Sequence, residues 1–326
     1  MWLKHGVEWA DCMKILSDQK SHAYFFQGIV LCFLGAICFS TKAIFVKLAY
    51  RETSVDAVSL LALRMLFALP FFVTSAAVSS GRQANVRFTL KQWLGVAVVG
   101  CLGYYISSLL DFIGLQYVSA GMERLILFIY PTFVLLITAL LFKQRISGVQ
   151  VVALVITYAG LFIAFFSEIK FTADAADNTF FGVLMILACA FTFGSYIVGS
   201  GRLIPVVGAT KFNSYAMSFA CVAVLIHFFI VSDQSLFQFS PLIYGHSLLM
   251  AIVSTVVPSY LISVGIKRIG SGNAAIVGSI GPVSTILQAY FFLEEPITVL
   301  QIAGTLLILL GVLVIGRRKR SAEASQ

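Results

Sequence analysis

Seven ionisable side chains stand inside otherwise apolar stretches: Lys42, Lys47, Arg64, Asp111, Glu123, Arg124 and His227. A charge in hydrocarbon is expensive, so each is a functional candidate by default. Lys47 lies close enough to a predicted span end to snorkel to water. Lys42 and Arg64 lie deeper, Lys42 roughly 10 Å in at ~1.5 Å per residue and Arg64 further still. For Arg64 two readings stand side by side: a fixed ion pair with Asp111 or Glu123, with Glu123 the expected partner, or contact with a substrate. Glu123 and Arg124 fall in the first turns of a span, where they form an interfacial pair or where the acid suits the positive helix N-terminus. Asp111 and His227 read as interfacial. Because Lys42 and Arg64 outnumber the acids at their depth, they favour a ligand that presents a carboxylate or another anionic group.

Other chemistries are missing. HExxH is absent, as is a facing pair of intramembrane aspartates, which argues against an intramembrane enzyme; no GxxxxGK[ST] phosphate loop exists to bind a nucleotide. Five of the six cysteines (Cys32, Cys38, Cys101, Cys189, Cys221) sit in apolar stretches without CxxC spacing, so neither a disulfide framework nor a zinc site is expected. No metal and no cofactor is anticipated. The net charge of +8 is scattered over short loops, which reads as topology information rather than a nucleic-acid surface.

The elements that must position these groups are helices in a bilayer. At 60% hydrophobic and 11% charged, the chain cannot coat a soluble globule, since ordinary domains carry roughly 25% charged residues. Apolar runs of about 20 residues recur down its length, the span a ~30 Å hydrocarbon core requires. They predict an all-α polytopic membrane protein with ten transmembrane helices at about 25–49, 55–79, 92–112, 119–142, 148–166, 180–203, 211–231, 242–266, 272–293 and 298–316. Residues 1–24 read as a cytoplasmic tail rather than a cleaved leader, 167–179 as a polar linker and 317–326 as a basic tail. With the N-terminus inside, 16 Lys and Arg fall on the inner side and 2 on the outer. That imbalance predicts cytoplasmic N- and C-termini.

A shift of 151 positions lays Gly114 on Gly265, Gly121 on Gly272, Pro131 on Pro282, Gln150 on Gln301 and Gly160 on Gly311; a shift of 154 lays Gly28 on Gly182 and Phe39 on Phe193. The chain therefore reads as two five-helix repeats, 25–166 and 180–316, and an odd span count makes them inverted. Such halves can exchange conformations, which is the architecture of many secondary transporters. The charge is confined to the first repeat: the positions matching Lys42, Arg64, Glu123 and Arg124 are Tyr196, Ser218, Ala274 and Ala275. The second repeat offers neutral polar groups, Asn213, Tyr260, Asn273 and Gln288 among them. We therefore take Lys42, Arg64, Glu123, Tyr196, Tyr260 and Gln288 as path candidates. Pro131 and Pro282, which recur by symmetry, are candidate hinges.

The repeat has a small-residue opening (Ser119-Ala120-Gly121; Gly270-Ser271-Gly272), a proline in the following helix, then Gln and Gly in the last. In this it resembles the EamA-type permeases of the drug/metabolite transporter superfamily, over residues 25–316. The resemblance implies ten helices in two inverted repeats and export of a small metabolite, such as an amino acid or a drug, across a bacterial inner membrane. With no phosphate loop, protons or exchange would drive it. The partners expected are a small-molecule substrate and the lipid bilayer, and a homo-oligomer is compatible with it. A multidrug or cationic-compound pump is the alternative, and a non-transporting sensor or assembly subunit is the reading from another class. One departure stands out: an acid usually follows the apolar helix end, as Glu295 does, but the first repeat has Gln144.

Overall fold

The computed structural model describes residues 2–81, 87–143, 148–169, 176–278 and 280–323. Within the helices the surroundings of some side chains, including those of 2–23, Pro131, Gln150, Asn273 and 312–323, lie outside the description. The expected tails and much of the 167–179 linker therefore go untested at side-chain level, and Gln144 is not described at all. Among the described residues the chain is helical, with no strand.

Among the described residues thirteen helical stretches follow one another: α1 (Trp2–Glu52), α2 (Ala57–Ser80), α3 (Leu90–Gly100), α4 (Ser107–Gly114), α5 (Ala120–Leu127), α6 (Tyr130–Phe142), α7 (Gly148–Ile169), α8 (Ala176–Val207), α9 (Ala209–Val231), α10 (Pro241–Ala251), α11 (Val257–Gly278), α12 (Ile280–Leu293) and α13 (Val299–Glu323). Two π-helical turns, Cys101–Ile106 and Ile252–Val256, join α3 to α4 and α10 to α11. Seven stretches among the described residues are long and apolar enough to cross a membrane, and Leu154–Ala164, Ile280–Leu293 and Val299–Gly311 are shorter apolar helices. The first and last of these are parts of α7 and α13, and with α12 they occupy the places of the fifth, ninth and tenth predicted spans.

Local chemistry explains where the helices stop. Asp56 accepts from the Val58 and Ser59 amides and opens α2; Ser119 accepts from the Met122 amide and opens α5. A proline ring clashes with the carbonyl four residues back. For Pro131 that is Leu127, the last residue of α5. Pro131 thus lies in the first turn of α6, where proline is tolerated, and the break precedes it; residue 279, three places before Pro282, lies outside the described residues. The sequence places an end near 266 and a restart near 272, but α11 runs through both. The position matching the capping Ser119 is Gly270, which has no side chain with which to stop and restart a helix.

The two halves interleave. Helix α1 packs on α11 and α12, α2 on α9, α4 and α6 on α8, and α7 on α13. Gly265 approaches Gly28 so closely that an added Cβ would stand 3.1 Å from the Gly28 oxygen, and one on Gly114 would stand 3.1 Å from the Gly182 oxygen. Gly28 matches Gly182 and Gly114 matches Gly265, so one contact is repeated with the halves exchanged. Small residues let membrane helices meet at the backbone in this way. Gly160 and Gly304 do the same between α7 and α13. Large apolar side chains such as Leu140, Phe229, Ile230, Phe291 and Phe292 cover the outside, a surface suited to lipid.

Candidate functional site

One end of the bundle gathers the turns after α1, α4, α9 and α12. Glu52 of α1 meets His246 of α10 at 2.8 Å, Ser59 of α2 lies 3.3 Å from Gln234, and Glu295 bonds the start of α5. Just below that end lies a buried row of charge. Lys42 Nζ of α1 is 2.7 Å from Asp111 Oδ2 of α4 and 3.3 Å from Glu123 Oε1 of α5. Exposure is 7% at Lys42, 1% at Asp111 and 0% at Glu123. The Arg64 guanidinium of α2, 3% exposed, faces the Phe112 ring at 5.5 Å, and its Nε donates to Thr255 Oγ1 at 2.9 Å. On the far side Arg124 of α5 lies 5.2 Å from the Phe39 ring centroid and against Gly281 of α12.

Donors and acceptors in this row do not match up. Arg64 Nη1 and Arg124 Nε have no hydrogen-bond partner in the protein, and neither do Asp111 Oδ1 and Glu123 Oε2. Asp111 Oδ2 touches the Lys42 ammonium but lies off the line of a hydrogen bond. Buried polar atoms are nearly always paired, and a completed structural network would have paired these. Three basic and two acidic groups in one enclosed row leave one positive charge in excess when all are ionised.

Three of the six sequence-derived path candidates, Lys42, Arg64 and Glu123, meet here; the other three do not. Tyr196 lies at the counterpart of Lys42 in the second half, with its hydroxyl 3.0 Å from that of Tyr104, which also donates to Asn213 Oδ1 at 3.2 Å. Tyr104 lies in the first π-turn at the position matching Thr255 in the second. Each π-turn thus faces the opening helices of the other half, one through a tyrosine and one through a threonine. Tyr260 lines a cavity of about 790 Å³ between the second half of α2 (Phe71, Thr74, Ser75) and the α8–α9 joint. The cavity begins two turns beyond Arg64 on α2, and Ala68 and Phe72, packed with Met217 and Tyr260, separate it from the charged row. Gln288 bonds Ser284 at 2.8 Å on the seam between α12 and α1.

The geometry revises several expectations. Glu123 is paired with Lys42 and not with Arg64, because the Arg64 side chain is drawn to the Thr255 hydroxyl of the π-turn. Asp111 sits at the centre of the row rather than at an interface: the turn after α4 and the side chains of Lys47 and Tyr50 cover it, Lys47 donating to the Leu115 and Val118 carbonyls and Tyr50 to the Phe112 carbonyl. His227 packs edge-on against the Tyr105 ring at 5.6 Å. Glu295 accepts from the Ala120 and Gly121 amides at 3.0 and 3.3 Å, so its carboxylate caps α5. No group of metal-ligating side chains occurs among the described residues.

The EamA-like transporter family model matches the chain over residues 26–166 and 180–317. The chain belongs to the EamA-like transporter family. An uncharacterized transporter of Bacillus subtilis, YcbK, is 30% identical over 85% of this chain and 88% of its own length. Another, sll1319 of Synechocystis, is 24% identical over 96% and 99%. A solved crystal structure shares the fold, with a TM-score of 0.61 over 89% of this chain and 98% of its own at 19% identity. An EamA-like transporter of this kind is a multi-pass membrane protein and not an enzyme.

Proposed function

We propose that this protein is a secondary transporter exporting an amino acid or related small metabolite by alternating access, in a bacterial inner membrane with both termini cytoplasmic. The observation that carries the reading is the enclosed row in which both hydrogen-bond donors and acceptors are left over. A zwitterion supplies what is missing on both sides: a carboxylate for Arg64 and Arg124, and an ammonium group for Asp111 and Glu123. The bundle would be ten spans in two inverted five-helix units, 25–166 and 180–316. In support, landmarks recur at one register: π-turns at Cys101 and Ile252, and left-handed helix ends at Lys143 and Glu294, all 151 residues apart. Pro131, with the break before it, and Pro282 then serve as hinges. The cavity at Tyr260 is the inner vestibule, and the row is closed from the outer side by the Glu295 cap.

The test is counterflow in proteoliposomes. Vesicles loaded with unlabelled threonine, leucine or phenylalanine should accumulate the labelled counterpart of at least one, and Arg64→Met should abolish the exchange while the protein remains in the membrane. Exchange of cationic dyes but of no amino acid would favour the multidrug reading. No flux of either would favour a sensor or assembly subunit.

A further inference from the structure

Two carboxylates facing one ammonium group pose a problem that the proposed function does not by itself solve. Asp111 Oδ1 and Glu123 Oε2 accept from no donor in the protein, at 1% and 0% exposure. The charged and titratable groups around them are Lys42 and Tyr50 from α1, Arg64 from α2, Arg124 from α5 and Cys189 from α8. Lys42 already touches both acids. Tyr50 is committed to the Phe112 carbonyl and Arg64 to Thr255. The Cys189 thiol lies 3.5 Å from the Ser107 hydroxyl. None of these turns a further donor onto the two free oxygens. Two ionised carboxylates forced into one low-dielectric site repel each other, and binding one proton removes that repulsion and turns an orphan acceptor into a donor.

We propose that Asp111 and Glu123 form one proton-binding site, which a proton and the ammonium group of the substrate occupy in turn. The inference rests on the transport reading above. When the ammonium group arrives, it brings the donors that the proton had replaced; the carboxyl O–H then dissociates and the proton leaves to whichever side the row faces. The two occupants exclude each other because they need the same acceptors: a carboxyl O–H shared between Asp111 and Glu123 takes up the oxygens, Asp111 Oδ1 and Glu123 Oε2, that the ammonium group would have to bond. Mutual exclusion at one site, alternately open to each side, is an exchanger: protons moving in drive substrate out. Lys42 is the fixed charge that keeps the empty pair from being doubly negative. The neutral counterpart in the second half, Tyr104–Tyr196–Asn213, has no group that would take up a proton in this way, which confines the coupling to one site per chain.

The test is infrared difference spectroscopy on the protein in liposomes, first without any amino acid. Acidification should raise a carboxyl C=O band that is absent from Asp111→Asn and altered in Glu123→Gln, and unchanged in Glu52→Gln, whose carboxylate lies outside the row. Adding a transported amino acid at fixed pH should diminish the band and release protons to an indicator dye. A pH gradient should drive uptake in wild type and in Glu52→Gln but not in the two row variants. The proposal is overturned if no carboxyl band depends on Asp111 or Glu123, or if the band is indifferent to a saturating transported amino acid. If no amino acid is transported, the substrate reading fails on its own, and the substrate-free titration still decides the proton site.

Discussion

Lys42 holds two buried carboxylates at once, so its removal should be the most costly single change in the row. Lys42→Met leaves Asp111 and Glu123 without the cation that touches them both, and breaking a buried pair costs roughly 3–5 kcal/mol. Arg64→Leu removes a donor whose acceptor, the Thr255 hydroxyl, still has the Met250 carbonyl to bond at 3.0 Å. Its loss should be about 1–3 kcal/mol, the worth of one charged hydrogen bond. Thermal unfolding in detergent checks both, and a double-mutant cycle sharpens them. Lys42→Met with Glu123→Leu should show clear non-additivity, on the order of 1–3 kcal/mol, while Arg64→Leu with Glu123→Leu should add to within ~0.5 kcal/mol. The reverse pattern would restore the Arg64–Glu123 pair that the sequence suggests. Scarcity of charge in apolar stretches makes Lys42, Arg64 and Glu123 visible from sequence alone. Asp111 is hidden there because distance from a span end measures depth only if that end is wet, and here Lys47, Tyr50 and the α4–α5 turn cover it.

At the scale of elements, α5 depends on the turn between α12 and α13 in the other half. It is eight residues long, carries both Glu123 and Arg124, and has its first amides bonded by Ser119 and Glu295. Glu295→Ala should lower stability by about 1 kcal/mol, the usual worth of a cap, and should loosen the outer closure. Impermeant thiol labelling of a cysteine at Ser119 should become faster in that variant; unchanged labelling would mean that the cap does not seal this end. The close crossing of α7 and α13 gives a second check. An added Cβ on Gly160 would stand 2.7 Å from the Gly304 oxygen, so Gly160→Val should cost about 1–3 kcal/mol through overpacking. The helix break before Pro131 can be anticipated, because a proline announces the carbonyl it displaces. The two π-turns cannot: Pro258 follows one of them, but Ser107 stands at the matching place after the other, so no common residue type marks the pair. The continuity of α11 likewise turns on a single missing hydroxyl at Gly270.

For the whole molecule the repeat is the feature that sequence reveals most fully, since glycine and proline positions survive at one register while the charges do not. What the register alone does not reveal is how the halves divide the work: the first supplies the ionic row and the second supplies the Thr255 hydroxyl, the Gly281 contact and the Glu295 cap that enclose it. The central claim is that these halves lie in the membrane in opposite senses, so that equivalent helix ends face opposite compartments. The direct measurement uses single cysteines at Gln144 and at Pro296, in a background whose six native cysteines are replaced by alanine, labelled with an impermeant thiol reagent in intact cells and in inside-out vesicles. The account predicts that the cysteine at 296 reacts only in intact cells and the one at 144 only in inverted vesicles. Reaction of both from the same side would contradict it.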